Sequence, residues 1–160
     1  KRGLQSKPFD GEGLETKKTQ IVENGVLKTW FLDLATARQL KLESTAHAYR
    51  GISSPPTPSP TNLYFESGNT SPKNLIGNIK KGVYLTELMG SSVNLINGDY
   101  SRGGSGFWID KGEITYPVNE ITIADNLNDI FKKITLANDL EFKQGLNSPT
   151  MLIEDMIVAG

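Results

Sequence analysis

Residues 82–118 read GVYLTELMGSSVNLINGDYSRGGSGFWIDKGEITYPV, and this stretch decides the fold class. Val83–Leu88 has the β-branched and aromatic composition of a strand. Val93–Ile96 predicts a further strand, followed by a turn at Asn97-Gly98-Asp99. Strands this closely spaced indicate a β-rich domain in which neighbouring strands are joined by short turns.

Two hairpins are predicted from their turn residues. Asp110-Lys111-Gly112 separates the apolar runs Ser105–Ile109 and Glu113–Pro117. Nearer the start of the chain, Asn24-Gly25 separates two other strand-like runs, and Asn-Gly accepts the positive φ that a two-residue hairpin requires. The sheet is therefore expected to contain antiparallel pairs.

Short helices interrupt the strands, and each has a polar N-cap. The three predicted helices are Leu34–Leu40 after Asp33, Pro72–Lys81 after Ser71, and Asn126–Leu136 after Asp125. Gly82 is expected to end the second helix in a left-handed conformation. Two terminal strands, Thr150–Ile153 and Met156–Val158, complete the pattern. It predicts an α+β fold: a β-rich mixed or antiparallel sheet, or a barrel-like domain, with about three short helices.

Composition limits the classes of function. The chain has 160 residues, a size that fits one domain. Its 17 basic and 18 acidic residues give a formal charge of −1, which argues against a general nucleic-acid binder. It contains no cysteine, which fits a reducing, cytoplasmic location, and no apolar run long enough to span a bilayer. No catalytic or metal-binding site is expected within the chain itself.

His47 is the one histidine, so it limits both metal and nucleophile chemistry. A metal site usually needs three or four converging ligands, which one histidine without cysteine does not supply. A serine nucleophile would need His47 as its base, and Gly104-Ser105-Gly106 lacks the Gly-x-Ser-x-Gly spacing. His47 is therefore either structural or a contact for a ligand or substrate.

The run Gly103-Gly104-Ser105-Gly106 leads into a strand and lacks the Gly-Lys-Ser/Thr ending of a phosphate loop. Glycines in a strand indicate a bulge or close backbone approach. With Tyr100, Ser101 and Arg102 beside them, Gly103 and Gly104 are also candidates for contact with a partner, or with an extended peptide by strand addition. Both interpretations stay open at this stage.

Residues 53–60 contain four prolines and predict an extended surface loop. A lid or partner-contact role is the alternative, because long ordered loops are often functional. Strand character resumes after the loop at Leu63-Tyr64-Phe65. Tyr64 is included with His47 among the candidate contact residues.

Several segments occur together in the order typical of the TldD/PmbA family, and they cover the chain from Pro8 to its end. They are Pro8–Gly13, Asn24–Leu27, Asp33 with Ala37-Arg38, Asn62–Tyr64, Gly82–Leu88, Gly98–Gly103, Ser105–Ile109, Tyr116–Val118 and Ala137–Leu140. The chain resembles the C-terminal domain of the PmbA/TldE branch. The resemblance implies one C-terminal domain over residues 1–160, with the N-terminal domain of the full protein outside the chain.

The resemblance also implies a function. The family is described as metalloproteases and modulators of DNA gyrase, associated with maturation of a microcin antibiotic. A TldD-type subunit holds zinc through a histidine–glutamate helix and a C-terminal cysteine, and a TldE-type subunit lacks the metal. Here Leu140–Pro149 continues without that cysteine. The expected role is a non-catalytic partner, without a cofactor of its own, that pairs with a TldD-type subunit or as a homodimer and meets peptide substrate. A metallopeptidase or a gyrase-binding modulator is the alternative.

Overall fold

The computed structural model describes residues 3–160, with the side chain of Ser91 left out. The chain divides into two compact units. The first comprises the described residues up to Tyr64 together with Phe142–Asn147, and the second comprises Phe65–Glu141 together with Ser148–Gly160. Each unit is described in turn.

The first unit begins its regular structure with the predicted Asn-Gly hairpin. Strands β1 (Val22–Glu23) and β2 (Val26–Leu27) pair in antiparallel register. Asn24 has φ 50° and Gly25 has φ 77°, so both central residues adopt the left-handed conformation of a two-residue hairpin turn. The hairpin is confirmed, although each of its strands is only two residues long.

Helix α1 spans Leu34–Leu40, as its pattern predicts. The Asp33 carboxylate accepts hydrogen bonds from the backbone N–H of Thr36 at 2.7 Å and from its hydroxyl at 2.6 Å. The Thr36 hydroxyl in turn accepts from the Asp33 N–H, which completes a capping box. These bonds lower the pKa of Asp33, because they favour the charged carboxylate. The side chain of Ala37 is buried beneath the helix.

The remaining strands of this unit are short. Strand β3 (Ala48–Tyr49) pairs antiparallel with β4 (Thr57–Pro58), and β5 (Leu63–Tyr64) pairs in parallel with β10 (Leu146–Asn147). The proline-rich segment therefore contributes one strand of a two-stranded pair. Pro58 is tolerated there because a proline in a strand needs a position where no ladder donor is required.

The second unit opens with α2 (Pro72–Gly77), whose N-cap Ser71 accepts from the Asn74 N–H. The predicted extension to Lys81 is wrong. Strand β6 spans Lys81–Val93, and Lys81 and Gly82 already pair with the neighbouring strand. Gly82 is thus a strand residue and not a helix terminus, since sheet pairing takes precedence over the helical pattern.

A four-stranded antiparallel sheet forms the centre of this unit. Its strand order is β12 (Ile157–Ala159), β8 (Glu113–Asn126), β7 (Asp99–Asp110) and β6. The hairpin predicted at Lys111-Gly112 is confirmed and joins β7 to β8. The strand predicted over Val93–Ile96 is wrong, because β6 ends at Val93 and the following residues form the turn into β7.

The third predicted helix is much shorter than its pattern. Helix α3 covers only Leu127–Ile130, and its N-cap is Asn126 rather than Asp125. Strand β9 (Ile134–Leu136) follows and pairs antiparallel with β11 (Met151–Ile153). The apolar positions assigned to the last helical turns are therefore used by a strand whose partner lies later in the chain.

The core of the second unit lies under the sheet residues Ile109, Ile121 and Ile123, with Ile130 and Ala137 from the following segment. Ile109 is 1% exposed, so it is the most deeply buried large side chain of this group. Three short helices among the described residues and predominantly antiparallel pairing confirm the α+β class. None of the described helices combines the length and apolarity needed to cross a membrane.

Candidate functional site

The glycine-rich segment lies in the middle of the four-stranded sheet. Strand β7 pairs with β6 on one side and with β8 on the other, including at Gly103 and Gly104. Both backbone edges of these residues are occupied. An additional strand cannot hydrogen-bond to them, so the strand-addition hypothesis is corrected for this segment. The edge strands of this sheet are β6, next to β7, and β12, next to β8.

The glycines permit unusually close packing of neighbouring strands. A Cβ atom at Gly106 would lie 2.0 Å from the Tyr84 carbonyl oxygen, so only glycine fits without displacement of β6. The ladders on both sides change register here: β6 between Leu85 and Glu87, and the β7–β8 pairing between Gly104 and Gly106. The predicted bulge and close backbone approach are confirmed at this point.

Arg102 lies two residues before Gly104, on the same face of β7. Its Nη2 donates a hydrogen bond to the carbonyl oxygen of Leu88 at 3.2 Å. Leu88 is paired with Gly104, so the arginine side chain extends toward the edge strand. The Arg102 Nε is buried and has no hydrogen-bond acceptor among the side chains and backbone that the structure describes. No residue that the structure describes forms an ion pair with Arg102.

Tyr100 and Ser101 line a shallow groove of about 560 Å³ at one end of the sheet. Val93, Ala124 and Ile157 contribute apolar surface to the same groove. One wall also contains Asp125, whose carboxylate accepts from the Asn126 N–H at 2.7 Å and from Lys133 Nζ at 3.1 Å. These two contacts lower the pKa of Asp125, the backbone N–H having the larger effect.

His47 and Tyr64 lie in the first unit, whereas residues 100–104 all lie on β7 of the second. The His47 ring is 5.0 Å from the Phe31 ring, centroid to centroid, and its Nδ1 is 3.0 Å from Thr45 Oγ1. The Tyr64 ring meets Phe142 edge to face at 5.1 Å. Each ring therefore has a local packing partner, and a ligand-contact role for either residue stays a prediction.

The described residues do not fit a zinc site. No group of three or more histidine and acidic side chains converges within residues 3–160. The carboxylates with several contacts instead accept hydrogen bonds from the protein. Asp10 accepts from the N–H groups of Glu12, Leu14 and Ala48, and Asp139 accepts from the N–H and the hydroxyl of Thr150. No chemical step can be assigned to a metal bound by these residues.

Sequence reasoning missed Leu88 and Ile157. Leu88 supplies the carbonyl that holds Arg102, and Ile157 supplies a wall of the groove from the last strand. No local pattern could have identified either residue, because both depend on strand pairing between separated segments. Asp125 was noted only as a possible helix cap.

Comparison with known proteins places the chain in a family. The model described as "PmbA/TldA metallopeptidase C-terminal domain" matches residues 1–160. The metalloprotease PmbA of Escherichia coli is 41% identical over 160 residues, which is 99% of this chain and 34% of the relative. A metalloprotease TldD homologue of Buchnera aphidicola is 26% identical over 169 residues, covering 95% of this chain and 35% of the relative.

Solved structures agree with the sequence relatives. A candidate modulator of DNA gyrase from Thermotoga maritima matches with a TM-score of 0.86 and 37% identity, over 98% of this chain and 36% of its own. TldE from Thermococcus kodakarensis matches with a TM-score of 0.85 and 26% identity, over 96% and 36%. The chain thus spans about a third of the length of these relatives. The chain belongs to the PmbA/TldD metallopeptidase family and matches its C-terminal domain.

Proposed function

We propose that this chain is the C-terminal domain of a non-catalytic, TldE-type subunit that pairs with a TldD-type metalloprotease in the cytoplasm. In this proposal the partner holds the zinc, and the pair cleaves or matures unfolded peptides. The whole chain acts as one domain, and the N-terminal domain belongs to the rest of the full-length protein.

The observation that carries the proposal is the higher identity of the chain to PmbA than to a TldD homologue. The chain is 41% identical to a PmbA protein and 26% identical to a TldD homologue over nearly its full length. Its composition points the same way, since it has one histidine and no cysteine with which to ligate a metal. The ring of that histidine, His47, is in contact with Thr45 and Phe31.

Two other functions have specific support. The PmbA relatives are themselves named metalloproteases, which favours a subunit with peptidase activity of its own. The Thermotoga structure is named as a candidate modulator of DNA gyrase, which favours a regulatory binding protein. A direct contact with DNA is opposed by the formal charge of −1, because phosphate affinity depends on clustered lysine and arginine.

Purification of the full-length protein with and without a TldD-type partner distinguishes a non-catalytic partner subunit from an independent peptidase. We expect stoichiometric zinc and chelator-sensitive peptide cleavage only in the complex. His47→Asn removes the one histidine of the chain, and we expect the zinc content per mole of complex to stay unchanged even if the substitution weakens the contact proposed for His47. Stoichiometric zinc and cleavage in the protein alone would contradict the proposal and support an independent peptidase.

The proposed contacts with a partner or with peptide are Tyr100–Gly104 in the second unit and, separately, His47 and Tyr64 in the first. Reversal of charge in Arg102→Glu should weaken association with the partner or with peptide, because the residue lies beside the exposed edge strand. Lys132→Glu is a suitable comparison, since that lysine is exposed and pairs only locally with Asp129. Equal binding by both variants, with unchanged circular dichroism, would remove Arg102 from the proposed contacts.

A further inference from the structure

Arg102 is a positive charge without a counterion among the described residues. One of its guanidinium nitrogens donates to the Leu88 carbonyl oxygen, and the buried Nε has no acceptor within the described part of the chain. A buried donor without an acceptor is uncommon and costs free energy. We propose that the Arg102 guanidinium binds a carboxylate, supplied by a peptide or by a partner protein. This inference rests on the proposed function for the source of the carboxylate.

A ligand can approach Arg102 only from the solvent side of its guanidinium. The space above Gly104, the next residue on the same face, is filled, because a Cβ atom there would lie 3.0 Å from Leu85 Cδ2 and 3.6 Å from Leu88 Cδ2. Leu88 itself is 41% exposed, and its carbonyl oxygen accepts a hydrogen bond from the guanidinium. Strand β6 lies at the edge of the sheet, so no further strand covers this side of Arg102 within the second unit. The hydrogen bond to Leu88 fixes the guanidinium close to that edge, which reduces the entropy lost when a ligand binds.

The local charges favour a carboxylate over a phosphate. Arginine presents a planar fork of N–H donors that matches the two oxygens of a carboxylate. A phosphate carries more charge and is usually held by several cations or by a helix N-terminus. Lys133 bonds at 3.1 Å to Asp125, which lies two residues along β8 from the residue paired with Arg102, so its charge is already neutralised. The residue opposite Arg102 on β8, Ile123, is buried and apolar, which strengthens a single ion pair by excluding water.

The test uses the full-length protein and two binding measurements. Fluorescence anisotropy compares an unstructured peptide that ends in a free carboxylate with the same peptide ending in an amide. Sedimentation analysis measures association with the TldD-type partner. Arg102→Met removes the charge and keeps an unbranched apolar stem. Arg38→Met is the matched control, because among the described residues the Arg38 side chain bonds only to Leu34 of its own helix.

We expect Arg102→Met to weaken binding at least tenfold in one of the two measurements, whereas Arg38→Met has no effect. A loss confined to the free-carboxylate peptide identifies the peptide terminus as the ligand. A loss confined to the partner identifies an acidic side chain of that protein. If Arg102→Met fails to fold, Arg102→Lys replaces it, because it keeps the charge but loses the planar fork, and a smaller loss is expected.

Two failures are distinguishable. If the wild-type protein does not associate with the partner, the proposed function fails, and the peptide measurement still tests the carboxylate site. The carboxylate site is refuted if neither Arg102→Met nor Arg102→Lys changes the affinity for the peptide or for the partner while both unfold at the temperature of the wild type. The site is also refuted if the wild type binds the carboxylate and amide peptides equally and Arg102→Met binds the partner as tightly as the wild type does.

Discussion

Gly106→Ala should be strongly destabilising, because the added methyl group has no space. Its Cβ would lie 2.0 Å from the Tyr84 carbonyl oxygen, about 1.4 Å inside the 3.4 Å at which ordinary van der Waals contact begins. The obstacle is backbone of β6, so the two strands must separate. Overpacking of this kind costs about 1–3 kcal/mol, and each weakened ladder hydrogen bond adds about 1 kcal/mol. We therefore expect a loss of about 3 kcal/mol in the free energy of unfolding.

Gly103→Ala is the matched control on the same strand. A Cβ atom there meets Met89 Cβ at 3.7 Å, an ordinary contact, and alanine in a strand is favoured over glycine by about 0.5–1 kcal/mol. Urea and thermal unfolding measure both variants. We expect Gly106→Ala to unfold roughly 6–12 °C lower than the wild type and Gly103→Ala at or above it. Equal unfolding temperatures for the two variants would refute the close-approach argument.

Three further predictions concern burial and charge. Hydrogen bonds to Thr36 and to Thr150 lower the pKa values of Asp33 and Asp139. The stabilisation from these two carboxylates is therefore complete above about pH 4 and is lost as the pH falls through the lowered folded-state pKa. In acid titration, we expect the free energy of unfolding of Asp33→Asn and of Asp139→Asn to depend less on pH than that of the wild type. Ile109→Ala removes a side chain that is 1% exposed and should cost about 2–5 kcal/mol in urea unfolding. Leu95→Ser and Ile96→Ser, at positions 87% and 97% exposed, should change stability by less than about 0.5 kcal/mol in the same assay.

Local signals predicted the elements whose stabilising contacts are local. Helix α1 has its predicted limits because Asp33 and Thr36 cap it from within a few residues. The turn at Asn24-Gly25 was predictable for the same reason, since positive φ values favour asparagine and glycine. At Lys111-Gly112 only the glycine carries this signal, and Lys111 adopts a φ of 49° that its residue type does not favour. In each case the sequence contains both partners of the deciding interaction within one short window.

The elements that sequence reasoning misplaced depend on distant partners. Ile134–Leu136 continues a helical pattern after Leu127–Ile130, but it is a strand because Met151–Ile153 pairs with it. Lys81 and Gly82 were assigned to a helix end for a similar reason, although their partners are Asp110 and Ile109. The apolar pattern of one segment does not show that a distant strand will pair with it.

The sequence identified the residues of the candidate site but not how the strands arrange them. Arg102 and its neighbouring glycines could be named as candidates from their residue types alone. The close backbone approach predicted for the glycines is confirmed at Gly106. The pairing of β7 on both edges could not be foreseen, because it requires the register of three strands. The acceptor for Arg102, the Leu88 carbonyl, is 14 residues away along the chain.

The order in which the chain contributes to the two units affects how it can be divided for expression. The segment Phe142–Asn147 returns to the first unit, where β10 pairs with β5, before Ser148–Gly160 completes the second. Neither unit is therefore one continuous stretch of sequence. A fragment that starts at Phe65 would include β10 without its partner strand, and one that stops at Tyr64 would include β5 without β10. Recombinant fragments should therefore include both Leu63–Tyr64 and Leu146–Asn147, so that β5 and β10 can pair. Sites for circular permutation are better sought in surface turns such as Asn24-Gly25.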